Sequence, residues 1–178
     1  MKNSLIFFAL GVLLLSCSSL GKKTEAEISA VGVDDLAKMS FGSLSADDLR
    51  AKFGEPHQII KVPEGAEEAW IYFGKNDELP SFQRMSFTVN RATQMVGGGL
   101  WIPLPSEEMH HLSNALAHFP KAQFKIEDEG LIAHHSFSDN TNYTDTNLGV
   151  SIGARKSRNS VFSVAFGPSI TRSLSSAK

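Results

Sequence analysis

The side chains of this 178-residue chain whose types suit chemistry are one cysteine, Cys17, and six histidines, five of which fall in two groups. His110, His111 and His118 lie in the stretch 106–119, which reads as a helix: Ser106 is placed to cap it, Glu107 and Glu108 suit its first turn, and Pro120 stops it. At about 100° per residue, His111 and His118 stand about 20° apart and His110 about 80° from His118, roughly opposite the apolar stripe Met109, Leu112, Leu116 and Phe119. A zinc site made from them, as in a metal-dependent hydrolase, would be a surface site lacking a convergent third ligand. His134 and His135 are adjacent on a predicted strand and point to opposite faces. All five are therefore read as solvated polar side chains; no metal ligand, catalytic residue or cofactor is assigned. Gly97-Gly98-Gly99 lacks the lysine and serine or threonine of a phosphate loop and reads as a turn or hinge. Asp47 and Asp48 suit a helix start better than an acid–base pair, and no serine sits in a nucleophile-elbow pattern.

Cys17 has the most informative context. Lys2 precedes an uncharged apolar run at 5–15, and small residues follow at Ser16, Cys17, Ser18 and Ser19. The run has the length of a signal-peptide core, about 7–15 residues, and falls short of the roughly 20 needed to span a bilayer. Leu14-Leu15-Ser16-Cys17 resembles the lipobox of bacterial lipoproteins. That resemblance implies a signal peptide at 1–16, cleavage between Ser16 and Cys17, a diacylglycerol thioether on Cys17 and acylation of the new N-terminus. Two or three acyl chains make a stable anchor, since each buried methylene contributes about 0.8 kcal/mol. Ser18, where enterobacterial sorting reads aspartate as a retention signal, implies the outer membrane, facing the periplasm. With one cysteine, no intramolecular disulfide can form, so stability must come from burial. Lys and Arg total 17 against 19 Asp and Glu, and no basic patch is dense enough for nucleic acid.

The elements that would follow the anchor start with a polar stretch, 17–30, read as a lipidated flexible tether. A short helix is expected at 33–39. A second, at 46–53, has Ser45 as cap, Asp47 and Asp48 at the positive end of its dipole, and Gly54 with Pro56 as its stop. Strand signals follow at 58–62, 69–73 and 83–89, where Met85, Phe87 and Val89 alternate onto one face. A turn at 90–93 leads to 94–96, which would return along the sheet edge. The fold class is α+β, with helices packed on one face of an antiparallel sheet.

Gly42, Leu49, Arg50, Phe53, Gly54, Pro56, Trp70, Tyr72 and Phe87 follow a pattern of capped helix, Gly-x-Pro stop and Trp-x-Tyr strand. In this, residues 31–96 resemble the small outer-membrane lipoproteins called BamE or SmpA/OmlA. The resemblance implies a two-helix, three-strand fold and an accessory role in the machinery that inserts β-barrels into the outer membrane.

The second half, 100–168, repeats the order helix then meander. Strands are expected near 123–127, 131–137, 148–155 and 161–166, with a polar loop at 138–147 and a frayed tail at 169–178. A tandem of units at 31–99 and 100–168 and one extended sheet both fit this order. Leu100 to Pro105 is apolar yet interrupted by prolines, so it either bridges the halves or forms a docking surface; Trp101, Ile102 and Leu104 are its candidate partner-binding residues. The expected function is an envelope lipoprotein acting as a non-catalytic protein-binding or scaffold module on another envelope protein. The alternatives are an inhibitor or ligand-binding lipoprotein of the same fold, and a hydrolase using the surface histidines.

Overall fold

A computed structural model of the chain describes residues 21–61, 65–77, 79–128 and 139–168. The signal peptide expected at 1–16, Cys17, the strand expected at 131–137 and the tail expected at 169–178 lie outside the described residues.

Order begins earlier than the composition suggests. Thr24 caps a helix, α1 (Glu25–Ser29): its hydroxyl accepts from the Glu27 amide at 3.3 Å, and the Glu27 carboxylate accepts from the Thr24 amide at 2.7 Å. Ile28 of α1 is 0% exposed. Residues 24–30, expected within the tether, are thus part of the fold, because one buried isoleucine and a reciprocal cap outweigh a polar composition.

Two further helices follow, α2 (Val33–Ala37) and α3 (Ala46–Phe53). The Ser45 cap of α3 is reciprocal: its hydroxyl accepts from the Asp48 amide at 3.2 Å, and Asp48 accepts from the Ser45 amide at 2.9 Å. Gly54 ends α3 at φ 77°, a conformation that favours glycine. A Cβ there would also strike the Gly21 carbonyl.

The strands are β1 (Gln58–Lys61), β2 (Glu67–Gly74), β3 (Phe82–Asn90), β4 (Val96–Trp101), β5 (Lys125–Asp128), β6 (Asn140–Asp145), β7 (Val150–Arg155) and β8 (Ser160–Phe166). They form one eight-stranded sheet in the order β1-β2-β3-β4-β8-β7-β6-β5, antiparallel at every pairing. The described fold is therefore mixed, dominated by a large antiparallel sheet with few helices. Two four-strand meanders, each running from an outer edge to the centre, meet where Leu100 of β4 pairs with Ala165 of β8. Of the two arrangements compatible with the sequence, this is the extended sheet.

Three expectations are corrected. The segment 94–96 leads into β4 at the centre of the sheet, not along its edge, and Gly97 to Gly99 are strand residues, not a hinge. Gly99 is required there because a Cβ would lie 2.9 Å from the Phe41 ring and 3.1 Å from that of Phe87. The polar loop at 138–147 contains β6, whose Tyr143 pairs with Ile152 and turns into the core.

Register fixes the core. Trp70 pairs with Phe87, Phe87 with Gly99, Gly99 with Phe166, and Phe166 with Val150; beside this row, Tyr72, Met85, Trp101, Val164, Ile152 and Tyr143 form a second. Side chains directly opposite across antiparallel strands share a face. Ile28, Leu36, Leu49, Phe53, Leu112 and Ala115 join them in one buried cluster, so α1 to α3 and the helix of the second half all contribute to a single core.

Candidate functional site

The described histidines do not assemble. The stretch 106–119 is a 3-10 turn, Glu108–His110, followed by α4 (Leu112–His118), with His111 between them in extended conformation at φ −86° and ψ 126°. The break is tertiary in origin: His111 forms a β-bridge with Ser160 of β8, and the Leu112 amide donates to the Asn159 carbonyl at 3.1 Å. A constant 100° per residue therefore does not hold across His111, and the expected face of His110, His111 and His118 is broken up. His118 Nε2 lies 2.9 Å from Asp34 Oδ1, linking α4 to α2. His57, the sixth histidine, accepts the Phe73 amide on Nδ1 at 3.3 Å, and partial burial lowers its pKa. His134 and His135 lie outside the described residues, as do Ser16 and Cys17. Among the described residues, no group of three or more His, Cys, Asp or Glu stands where it could hold a metal ion. The apolar stripe of this segment does pack on the core, through Met109, Leu112, Leu116 and Phe119, with Ala115 added to it.

Of the candidate partner-binding residues, Trp101 and Leu104 are buried and Ile102 is half-buried. Trp101 is 2% exposed and Leu104 7%, and Trp101 belongs to β4 despite the prolines that follow. Its indole donates to the Val31 carbonyl at 3.0 Å, and the guanidinium of Arg84 lies 4.4 Å over its ring. Arg84, 1% exposed, donates to both carboxylate oxygens of Glu107, at 2.5 and 2.8 Å, and to the carbonyls of Ile102 and Val31 at 2.6 and 2.9 Å. Glu107 also accepts from the Leu104 amide at 2.8 Å. This pair, with Arg84 buried and Glu107 half-buried, fastens the β4–α4 connection to the first half. Sequence reading missed Arg84 because strand alternation sets it opposite Met85. A β-bulge, where Tyr72 pairs with Met85 but Phe73 with Gln83, turns it inward instead.

The residues that carry the family resemblance are committed to packing. Phe53, Tyr72 and Phe87 form an aromatic triangle with ring centroids 5.5 to 5.8 Å apart. The Tyr72 hydroxyl donates to the Gly54 carbonyl at 3.2 Å, and burial pushes its pKa up. Arg50 lies 4.5 Å over the Trp70 ring and pairs with Asp47 at 2.9 Å and Glu55 at 3.3 Å.

What remains is the other side of the sheet. One cross-strand row traverses all eight strands there: Gln58, Ile71, Ser86, Leu100, Ala165, Ser151, Thr144 and Lys125. Ser86, Leu100, Ala165 and Ser151 are partly exposed, while Ile71 and Thr144 sit lower. From Ile71 to Thr144 the row carries no charge. Its hydroxyls are paired on the sheet itself, Thr144 with Ser151 at 2.9 Å and Ser86 with the Gln83 amide at 3.1 Å. Elsewhere, the edge strands expose Ile59, Ile60 and Ile126, and a cavity of about 360 Å³ opens between Leu36, Met39 and Phe41 on one side and Leu148, Phe166 and Pro168 on the other.

No protein-family model matches the chain, and no curated protein matches it in sequence. Among solved structures it is similar to an extracellular protein containing a SCP domain from Bacillus anthracis strain Ames, with a TM-score of 0.40 and 16% identity over 82% of this chain. The chain spans about half of that protein's length, 48%.

Proposed function

We propose that the chain is a lipoprotein of the bacterial envelope, anchored through Cys17 and acting as a non-catalytic protein-binding or scaffold module. The observation that carries this reading is Leu14-Leu15-Ser16-Cys17 behind Lys2 and an unbroken apolar run. In this reading residues 31–96 are a BamE-like unit with its helices on one face, and 100–168 a second helix-plus-meander unit joined to it. The anchor acts by confinement: it holds the module at the membrane, on the periplasmic side of the outer membrane, and raises its effective concentration for partners there. An anchored ligand-binding module is the second reading, favoured by the cavity beside α2.

Capture from detergent-solubilised membranes with the full lipidated chain tests the assembly role. Recovery of barrel-assembly subunits, lost in a Cys17→Ser chain, is the expected result. Their consistent absence sinks that role.

A further inference from the structure

We propose that the β1 edge of the sheet lies edge-on against the phospholipid surface that holds the Cys17 lipid, with Ile59, Ile60 and the lysines beside the anchor in its headgroup layer. The inference rests on lipidation of Cys17 and adds an orientation to it. Four residue steps separate Cys17 from Gly21, at most about 14 Å of chain. Gly21 already belongs to the fold. With Lys22 and Lys23 it packs against Gly54, where a Cβ would lie 2.8 Å from the Lys23 nitrogen and 3.4 Å from the Lys22 Cα. The Lys23 ammonium donates to the Lys52 carbonyl and stands 5.8 Å from the centre of the Phe53 ring. The link to the lipid therefore leaves the fold at the connection between α3 and β1. His57, in that connection, is also near it: burial and then the Lys22 charge lower its pKa. β1 extends only about 10 Å beyond His57, so no part of it is far from that point.

β1 has the exposure that such a contact needs. All four of its residues are exposed, Ile59 and Ile60 at 45% each, although adjacent strand residues point to opposite faces of the sheet. A partner laid on one face would cover only one of the two isoleucines; a layer that the edge enters covers both. The headgroup layer, about 5–7 Å deep, also carries the water that an unpaired strand edge requires and hydrocarbon lacks. Charge does not oppose the contact. Lys22, Lys23 and Lys52 stand where the link emerges, beside Glu25, Glu27 and Glu55; Glu27 is held by the Thr24 cap, and Glu55 pairs with Arg50 at 3.3 Å. Lys23 and Lys52 each use one ammonium donor inside the fold, which leaves the others for lipid phosphates. The opposite edge supplies the contrast. Ile126 of β5 is 58% exposed and lies seven strand spacings away, about 34 Å along the sheet. An edge-on module holds Ile126 clear of the bilayer, whereas one lying flat on a sheet face brings both edges to the lipid.

The test uses the full lipidated chain in bilayer discs of phosphatidylcholine doped with headgroup-nitroxide phosphatidylcholine. Cys17 is the only cysteine and its sulfur carries the lipid, so a cysteine introduced elsewhere is the single site for a thiol-reactive fluorophore. A label on Lys22→Cys is expected to be quenched, because the link holds it at the membrane in any orientation. A label on Ile60→Cys is expected to lose most of its emission, and one on Ile126→Cys almost none. Both isoleucines are exposed, so cooperative melting should persist in either variant. Quenching at 22 without quenching at 60, or equal quenching at 60 and 126, would overturn the proposal. No quenching at 22, with a Cys17 peptide whose mass shows no lipid, would overturn the anchor and the orientation together, so the two failures are told apart.

Discussion

Trp70, Tyr72, Met85, Phe87 and Trp101 build the core rows of β2 to β4, whereas Tyr143, Val150, Ile152, Val161 and Val164 build those of β6 to β8. Both halves run from an outer edge to the centre of one sheet. In the first, large rings interlock and a buried arginine binds the packing to Trp101 and Glu107. In the second, smaller β-branched side chains pack beside buried polar residues, Thr141, Thr144 and Asp145, and Asp145 accepts from the amides of Gln123, Asn147 and Leu148 at 2.6, 2.8 and 3.1 Å. One topology is thus held by two chemistries: aromatic packing with a buried arginine paired to a half-buried glutamate, and aliphatic packing with a carboxylate that ties down loops.

The largest expected effect is at the ion pair. Arg84→Ala empties a buried site beside Trp101, leaves the half-buried Glu107 unpaired and is expected to cost about 2–5 kcal/mol, read from the midpoint of urea denaturation. Because β4 pairs with β8, the loss should move one transition for the whole sheet; two separate transitions would mean that the halves unfold independently. At the junction itself, Gly99→Ala forces a Cβ against the rings of Phe41 and Phe87, and about 1–3 kcal/mol should be lost in the same assay. Thr24→Ala removes the cap of α1 and should cost about 1 kcal/mol. If residues 24–30 were a loose tether, that substitution would leave the midpoint where it was.

Acid should distinguish the second half's chemistry. Hydrogen bonds from the Gln123 amide, and then from Leu148, hold the Asp145 carboxyl below its usual range; Ser45 and Ser157 do the same for Asp48 and Asp139. A depressed folded pKa means stability that is fully present above the unfolded value, about 3.9, and lost as pH falls through the folded one. Burial likewise lowers the His57 pKa, so thermal midpoints should fall gently below about pH 6.5 as His57 of the unfolded chain takes up a proton, and more steeply below about pH 4. Asp145→Asn should make that acid limb shallower, and an unchanged slope would remove Asp145 from the account.

The same contrast decides what could be read from the chain. The Ser45 cap, the Gly54 stop and the alternation of Met85, Phe87 and Val89 are local signals, and each stands in the structure as expected. The strand β6, Asn140 to Asp145, has no apolar run; its pairing with β7 makes it a strand, so its composition reads as a loop. Tertiary pairing likewise breaks the helix at His111 and turns Arg84 inward at a bulge, neither of which any local pattern encodes. By contrast, Thr24-Glu25-Ala26-Glu27 does spell a capping box, and its polar composition concealed it. The burial of Trp101 was hidden for a related reason: the prolines after it suggest irregular structure, but they follow β4 and do not interrupt it.

The central claim is the anchor at Cys17, and mass analysis of the mature N-terminal peptide from the full chain expressed in a Gram-negative host tests it most directly. The account predicts a peptide beginning at Cys17 that carries a diacylglyceryl group and an N-acyl chain, with no such species from the Cys17→Ser chain. A mature chain that begins elsewhere, with Cys17 absent or unmodified, would contradict it.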